Sequence, residues 1–394
     1  MTDLDGLDRA LRALHADVER HVTRERVRRY LSALVDTPAP STLAGAMRVP
    51  VLRRLLDDDG ALGGGRLHLH GDFGRTGSPV ILTGSPEPAK PLWYFAHLDT
   101  ISYLVLPAAD GRYPLVAFCS HMIKDGERAA RAYRYDLGRN TFVVAAEGRL
   151  ESHAGTPCFH PEPAAPPLRP GDRVVPVSSY REDAASGLFT GSMDNAGGVA
   201  ALAVAAPVLA RAGVEAMLAF PDEEEGPVAP GNQMIGRGGS RLISLLPVPE
   251  LAIVADVQQG GGDPDADARG GVVNSTRLGA GAVLAEFSSF ARGAVTPPDL
   301  YALARHAAAL VGGFGVRIQQ SNNAYSSRSD DVGVMLKTPN ILLLGFPGFN
   351  RHFDRGEPRA HLDDVVHLAR ALVYMSGLRP WLTARRRALL GEAS

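Results

Sequence analysis

Apolar residues recur at helical spacing near the start of the chain, at Leu7, Leu11, Leu14 and Val18 and again at Val27, Leu31 and Leu34. The prolines of DTPAPS (37–42) stop this pattern, which predicts a helical segment over 5–35. PVILTG (79–84) and PLWYFA (91–96) are short continuous apolar runs of the kind that form buried strands. From about 103 to 190 the texture changes to short β-type runs (LVAF, TFVVAAEG, DRVVPV) separated by glycines, prolines and charged turns. A regular alternation follows. GGVAALAVAAPVLARAG predicts a helix kinked at Pro207, VEAMLAF a strand, NQMIGRGGSRLISLL a weak helix and ELAIVADV a strand. Thr296 and Pro297 suit the N-cap and first position of a helix through PDLYALARHAAALVGG, ahead of the strands VRIQQ and NILLLGF and a final helix LDDVVHLARALVYM.

Strands alternating with helices imply an α/β fold with a doubly wound, mostly parallel sheet, interrupted by a small all-β domain. The expected division is a catalytic α/β domain over 1–102 and 189–394 with the β insertion at 103–188. Solenoid-type repeats are absent.

Composition narrows the chemistry. With 41 Lys and Arg against 43 Asp and Glu in 394 residues, nothing in the overall charge points to nucleic acid or an anionic membrane as partner. The chain has no apolar run of membrane-spanning length, and its charged N-terminus is unlike a signal peptide, so a cytoplasmic protein is expected. Its two cysteines, Cys119 and Cys158, are too few for a Cys-based metal site, which leaves His and carboxylate as ligands. Only three basic residues are Lys, which reads as compositional bias and not as a binding signal.

In open α/β sheets the working residues gather beyond the carboxyl ends of the strands. His97 and Asp99 follow PLWYFA, Glu223 and Glu224 follow VEAMLAF, Asp256 closes ELAIVA, and His352 lies just beyond NILLLGF. Asp194, in GSMDNAGG, sits where the β module ends and a helix begins. Acidic groups gathered at one rim need cations to offset their repulsion, and these residue types suit two divalent ions, most simply zinc, with cobalt or manganese as alternatives. Residues i and i+2 of an extended segment face the same way, so Asp99 can orient His97. Adjacent carboxylates diverge, so one of the Glu223–Glu224 pair can bind metal while the other carries a proton.

The ordered set HLD, MDNAGGVAAL, PDEEEG, IVADV and a His before the last helix resembles the co-catalytic di-zinc exopeptidases and amidohydrolases. Within them it is most similar to the family 42 metallopeptidases, the TET-type aminopeptidases, over residues 25–376. The resemblance implies His97 and Asp256 on one metal, Glu224 and His352 on the other, Asp194 bridging both, and Glu223 as general base. His361 is a rival for the last ligand. It further implies hydrolysis of a short peptide or small amide, and a homo-oligomer. Ser329 and Asp330 match a stretch near the substrate pocket of relatives. His68 and His70 are expected on an exposed strand; His121, His153 and His160 have no evident role.

Two departures stand out. Thr100 occupies the place where TET aminopeptidases carry an acidic residue, giving HLDT as in family 20 carboxypeptidases and acylases, and PVAPGNQ replaces the usual short Gly-rich continuation. A deacylase or amidohydrolase of a small metabolite is therefore the alternative in the same chemical class. A metal-binding or assembly protein without catalysis is the alternative from another class.

Overall fold

A computed structural model describes residues 4–119, 123–226, 236–262, 273–324 and 326–391. Helices α1 (Leu4–His21), α2 (Arg24–Val35) and α3 (Ala44–Asp58) lead into strands β1 (Leu67–His70), β2 (Val80–Thr83) and β3 (Leu92–Phe95). Next come β4 (Ser102–Val105), β5 (Tyr113–Phe118), β6 (Gly126–Asp136), β7 (Thr141–His153), β8 (Thr156–Pro161) and β9 (Arg173–Pro176), then β10 (Arg181–Glu182) and β11 (Leu188–Thr190). The remainder alternates: α4 (Ala196–Arg211), β12 (Ala216–Ala219), α5 (Arg237–Ser244), β13 (Leu251–Gln259), β14 (Ala282–Ala285), α6 (Pro298–Gly312), β15 (Ile318–Gln320) and α7 (Asp331–Val334). Strands β16 (Ile341–Phe349) and β17 (Arg359–His361) and helices α8 (Leu362–Met375) and α9 (Leu378–Leu390) complete it.

The helical pattern at the N-terminus is two helices, divided at Thr23, whose hydroxyl accepts from Arg26 N and caps α2. Helix α4 runs through Pro207 to Arg211. Helix α6 begins one residue later than the Thr296–Pro297 reading, with Pro297 as N-cap and Pro298 first in the helix. Two helices, α3 and α9, lack a clear apolar stripe in sequence: α3 carries Pro50 and buries Arg48, and α9 buries only Leu378 and Leu382.

Strands β12, β3, β13 and β16 lie side by side and parallel, and antiparallel strands extend the sheet on both margins. Side chains of successive residues leave opposite faces, and both faces are covered. Leu92 and Tyr94 pack with α1, α2, α4 and α8 on one side; Trp93 and Phe95 pack with Leu242 and Val334 of α5 and α7 on the other. This is why PLWYFA is continuously apolar. Helix α4 is buried along nearly its whole length, which its alanines permit by letting neighbours approach closely.

Strands β4 to β9 close into a six-stranded barrel with its own core, including Tyr103, Leu150, Phe159 and Val174. The barrel leaves the main sheet three residues after Asp99, and the chain returns through β10 and β11, which ends four residues before Asp194. The module is thus inserted between two of the rim residues. Among the described residues no helix is long and apolar enough to cross a membrane.

One buried cation fixes the chain entering this rim. Arg48 is fully buried and donates to the carbonyls of Leu98 (2.6 Å), Leu34 (2.9 Å) and Thr37 (3.2 Å). Burial pushes its guanidinium down to about 10, and the nearby Asp99 opposes the shift. Replacing Arg48 by Leu removes the donor shared by three carbonyls and leaves those of Leu98 and Thr37 without it in a buried setting, so urea denaturation is expected to show a loss of about 3 kcal/mol or more; an unchanged midpoint would contradict the role.

Candidate metal centre

Each segment at the rim is delivered by the carboxyl end of a parallel strand or the start of a helix. His97 and Asp99 follow β3, the acidic run 222–225 follows β12, Asp256 lies in β13, and His352 follows β16. The first two segments continue the ladder past the strands, through Ala96 N to Ala219 O (3.1 Å) and Leu98 N to Pro221 O (2.7 Å). Asp194 precedes α4 but does not cap it. Asn195 takes that task by accepting from Gly198 N, and its amide donates to Ala255 O of β13 (2.8 Å). The carboxylate of Asp194 is left to face the other rim residues.

His97 Nε2 lies 3.0 Å from Asp194 Oδ1, 3.7 Å from Asp256 Oδ1 and 3.8 Å from Glu224 Oε2. His352 Nε2 lies 3.1 Å from Asp194 Oδ2 and 3.2 Å from Glu225 Oε2. Two groups that could hold a metal ion result, His97–Asp194–Asp256 and Asp194–Glu225–His352, with their ligand atoms within 4.8 Å of one another in each. Both are buried and they share Asp194, one oxygen turned to each histidine. Arg351 Nη1 also donates to Asp194 Oδ2 at 3.0 Å, a contact that spacing did not reveal.

Asp99 stands behind this arrangement. Its carboxylate accepts from Ser41 Oγ (2.6 Å), Glu224 N (3.0 Å) and Glu225 N (3.3 Å). On the His97 side, Nδ1 lies 3.1 Å from the Asp99 carbonyl oxygen and 3.5 Å from Oδ1. Thr100, the departure from the TET pattern, is tied to Ala39 O through its backbone N–H (2.8 Å) and its hydroxyl (3.2 Å).

The structure gives the four acids of the run 222–225 different partners. Asp222 accepts from Thr42 N (2.9 Å) and Ala44 N (3.2 Å) and so holds the start of α3. Glu223, expected as the base, has a left-handed backbone (φ 64°) and turns away to Arg241, 2.5 Å distant. Glu224, expected as a ligand, lies beside His97 outside both groups, and Glu225 supplies the carboxylate next to His352.

His361 lies elsewhere: it caps α8 by accepting from Asp363 N, and its Nε2 contacts Ser186 O. His70 is exposed on β1 and His68 half-buried beside it. In the barrel, His153 and His160 pair with Asp125 and Glu151, while His121 lies outside the described residues. Ser329 and Asp330 are buried close to the rim.

So many acids in a dry site oppose one another's ionisation. Burial raises Glu224, Glu225 and Asp256, with neighbouring carboxylates adding to it, and pushes Asp222 and Asp330 up to about 8. Burial opposes a charge on His352, but Glu225 and Asp194 outweigh it and hold the ring at about 10; Glu224 and Asp194 likewise lift His97. Burial also works against an ionised Asp194, yet both histidines and Arg351 hold it well below the usual carboxylate range.

The raised acids and raised histidines act in the same direction. The metal-free folded state holds more protons than the unfolded chain from about pH 5 to 9, so its stability must fall as pH rises through that window. Calorimetry of chelator-treated protein is expected to show a lower melting temperature at pH 8 than at pH 5.5, and added zinc is expected to abolish the drop. A flat profile without metal would contradict this electrostatic picture.

No protein-family model matches the chain, and no curated protein matches it. Solved structures do. An aminopeptidase from the archaeon Desulfurococcus kamchatkensis is 14% identical with a TM-score of 0.69, over 92% of this chain and 98% of that one. A TET aminopeptidase from a marine sediment archaeon of the Thaumarchaeota is also 14% identical, with a TM-score of 0.67, over 90% and 96%. The TET1 peptidase of Pyrococcus horikoshii, which can assemble into a tetrahedron or a large octahedral shell, is 16% identical with a TM-score of 0.65, over 89% and 99%. With its parallel central strands, its inserted barrel and its rim of histidines and acids, the chain has the fold of the TET-type aminopeptidases.

Proposed function

We propose that the protein is an aminopeptidase-like hydrolase that cleaves an amide bond at a pair of divalent metal ions. The observation that carries this reading is the sharing of one buried carboxylate, Asp194, between two ligand groups. Glu225 Oε1 and Asp256 Oδ2 are buried without hydrogen-bond partners, as expected of oxygens meant for a cation. Imidazole with carboxylate is a donor set for zinc, and equally for cobalt or manganese. His97, Asp194 and Asp256 would hold one ion, and Asp194, Glu225 and His352 the other. When bound, such a pair polarises a carbonyl and lowers the pKa of water.

The chain's own groups do the rest. Asp99 fixes the His97 ring with Nε2 toward the centre, and through Glu224 N and Glu225 N it also fixes the acidic loop. Glu224 borders the centre without belonging to either ligand group, so its carboxylate is the proton carrier, taking a proton from the attacking water and delivering it to the leaving amine. Glu223, paired with Arg241, shapes the loop and does not reach the reaction. Homo-oligomerisation belongs to the same reading, supported by the shells of the Pyrococcus neighbour.

A panel of aminoacyl, dipeptide and N-acyl substrates with zinc, cobalt or manganese separates aminopeptidase from deacylase activity. Turnover should vanish on chelation and return with metal. Glu224→Gln should keep two ions per chain while kcat falls about 10²–10⁴-fold; Glu223→Gln should keep activity within a few-fold. Glu225→Ala should lose one ion. Retained turnover in Glu224→Gln, or two tightly held ions in Glu225→Ala, would overturn the assignment. Asp99→Asn should weaken zinc binding about 10–100-fold in competition with a chromophoric chelator; wild-type affinity would remove its orienting role.

A further inference from the structure

Immediately beyond β16 the chain makes a turn that sends two neighbouring side chains to one atom. Successive residues of an extended strand face opposite ways, yet Arg351 Nη1 and His352 Nε2 both meet Asp194 Oδ2, at 3.0 and 3.1 Å. The turn makes this convergence possible. Phe353 N donates to Asn350 O (2.8 Å), and the residues at both ends are left-handed, Asn350 with φ 53° and Phe353 with φ 57°. Asparagine tolerates that conformation, but for a bulky phenylalanine it is an outlier that persists only where the surroundings enforce it. Phe353 is buried in the core of the barrel, which holds the end of the turn in place.

The contact is therefore built into the fold. The Arg351 side chain is 15% exposed and that of Asp194 2%. The charge of Arg351 acts on Asp194, Asp256 and His352 alike. It attracts the two carboxylates and so offsets part of the repulsion among the acids of the rim.

For an ion in the Asp194–Glu225–His352 group the same arginine has two opposing effects. Ligands must shed their protons to bind metal, so an ion would replace the proton between His352 and Asp194, while Arg351 still faces the same oxygen. Its hydrogen bond orients the carboxylate, and orienting contacts of this kind are worth about 10–100-fold in metal affinity. Its charge repels the ion. Two unit charges about 4 Å apart interact about four times more strongly near a protein surface than in water, and a divalent ion doubles the effect, so repulsion outweighs orientation.

We propose that Arg351 is a resident counter-cation of the metal centre: it stabilises the rim when no ion is bound, and it competes by charge with the ions that share Asp194, which keeps them exchangeable. The second half rests on the two-ion reading; the first does not.

The test compares the full wild-type chain with Arg351→Gln, which removes the charge but retains an N–H donor, and Arg351→Lys, which retains the charge but not the planar fork. Folding of each is checked by circular dichroism. In the first arm, chelator-treated proteins are unfolded thermally at pH 7. Arg351→Gln should melt several degrees below wild type, and Arg351→Lys close to it. In the second arm, zinc is titrated in competition with a chromophoric chelator, and bound cobalt is followed by its visible absorption as EDTA removes it. Arg351→Gln should bind zinc at least tenfold more tightly than wild type and release cobalt more slowly, with Arg351→Lys again near wild type. A residue that only supports the fold would lower stability and metal affinity together, so opposite signs mark the counter-cation. If Arg351→Gln melts with wild type, or binds zinc no more tightly, or if Arg351→Lys restores neither property, the proposal is overturned. If wild type takes up neither zinc nor cobalt, the two-ion reading fails, and the thermal arm alone decides whether Arg351 is the counter-charge of Asp194.

Discussion

The carboxylate of Asp99 is the contact on which the site depends. It sits where β3 hands over to the barrel, and it accepts hydrogen bonds from a serine ahead of α3 and from two successive backbone N–H groups of the loop after β12. One buried charge thus gathers three segments distant in sequence. Arg48 reinforces it from below by gripping the carbonyl of Leu98. Without these ties the histidine and the acidic loop would be held only by the two ladder bonds that extend β3 and β12.

Repulsion is the opposing constraint. Glu224, Glu225, Asp256, Asp222 and Asp330 lie within one buried region, where burial and neighbouring carboxylates oppose their ionisation more strongly than the histidines and backbone N–H groups favour it. The fold tolerates them because the strands beneath are packed on both faces and set the backbone regardless of side-chain charge. Stability and chemistry are therefore separated in space, with an apolar sheet supplying the first and a strained polar rim open to the second.

Much of this was legible in the sequence. The strands that precede His97 and His352 and the one that carries Asp256 announce themselves as apolar runs, and the resemblance to TET-type aminopeptidases agrees with the fold observed. What spacing failed to resolve has physical causes. Helix α3 hides because its buried face includes a charged residue, Arg48, whose partners are carbonyls from other segments. The partners of the acidic run are hidden because Asp222 is engaged by the terminus of α3, some 180 residues away. Arg351 touches Asp194 across 157 residues, and no local pattern encodes such a contact. Periodicity reports the faces of elements; it does not report which loop residue a distant element needs.

The inserted barrel has a temporal consequence. His97 and Asp194, which face each other at 3.0 Å, are separated by 97 positions, and His352 joins Asp194 only after 158 more. Neither ligand group is complete until most of the chain has been made, and the second waits for the strand that enters the sheet beside β13. During synthesis the early rim residues emerge long before their partners, when they can hold an ion only weakly. Any ion these groups hold can therefore be captured only late, once the fold is finished.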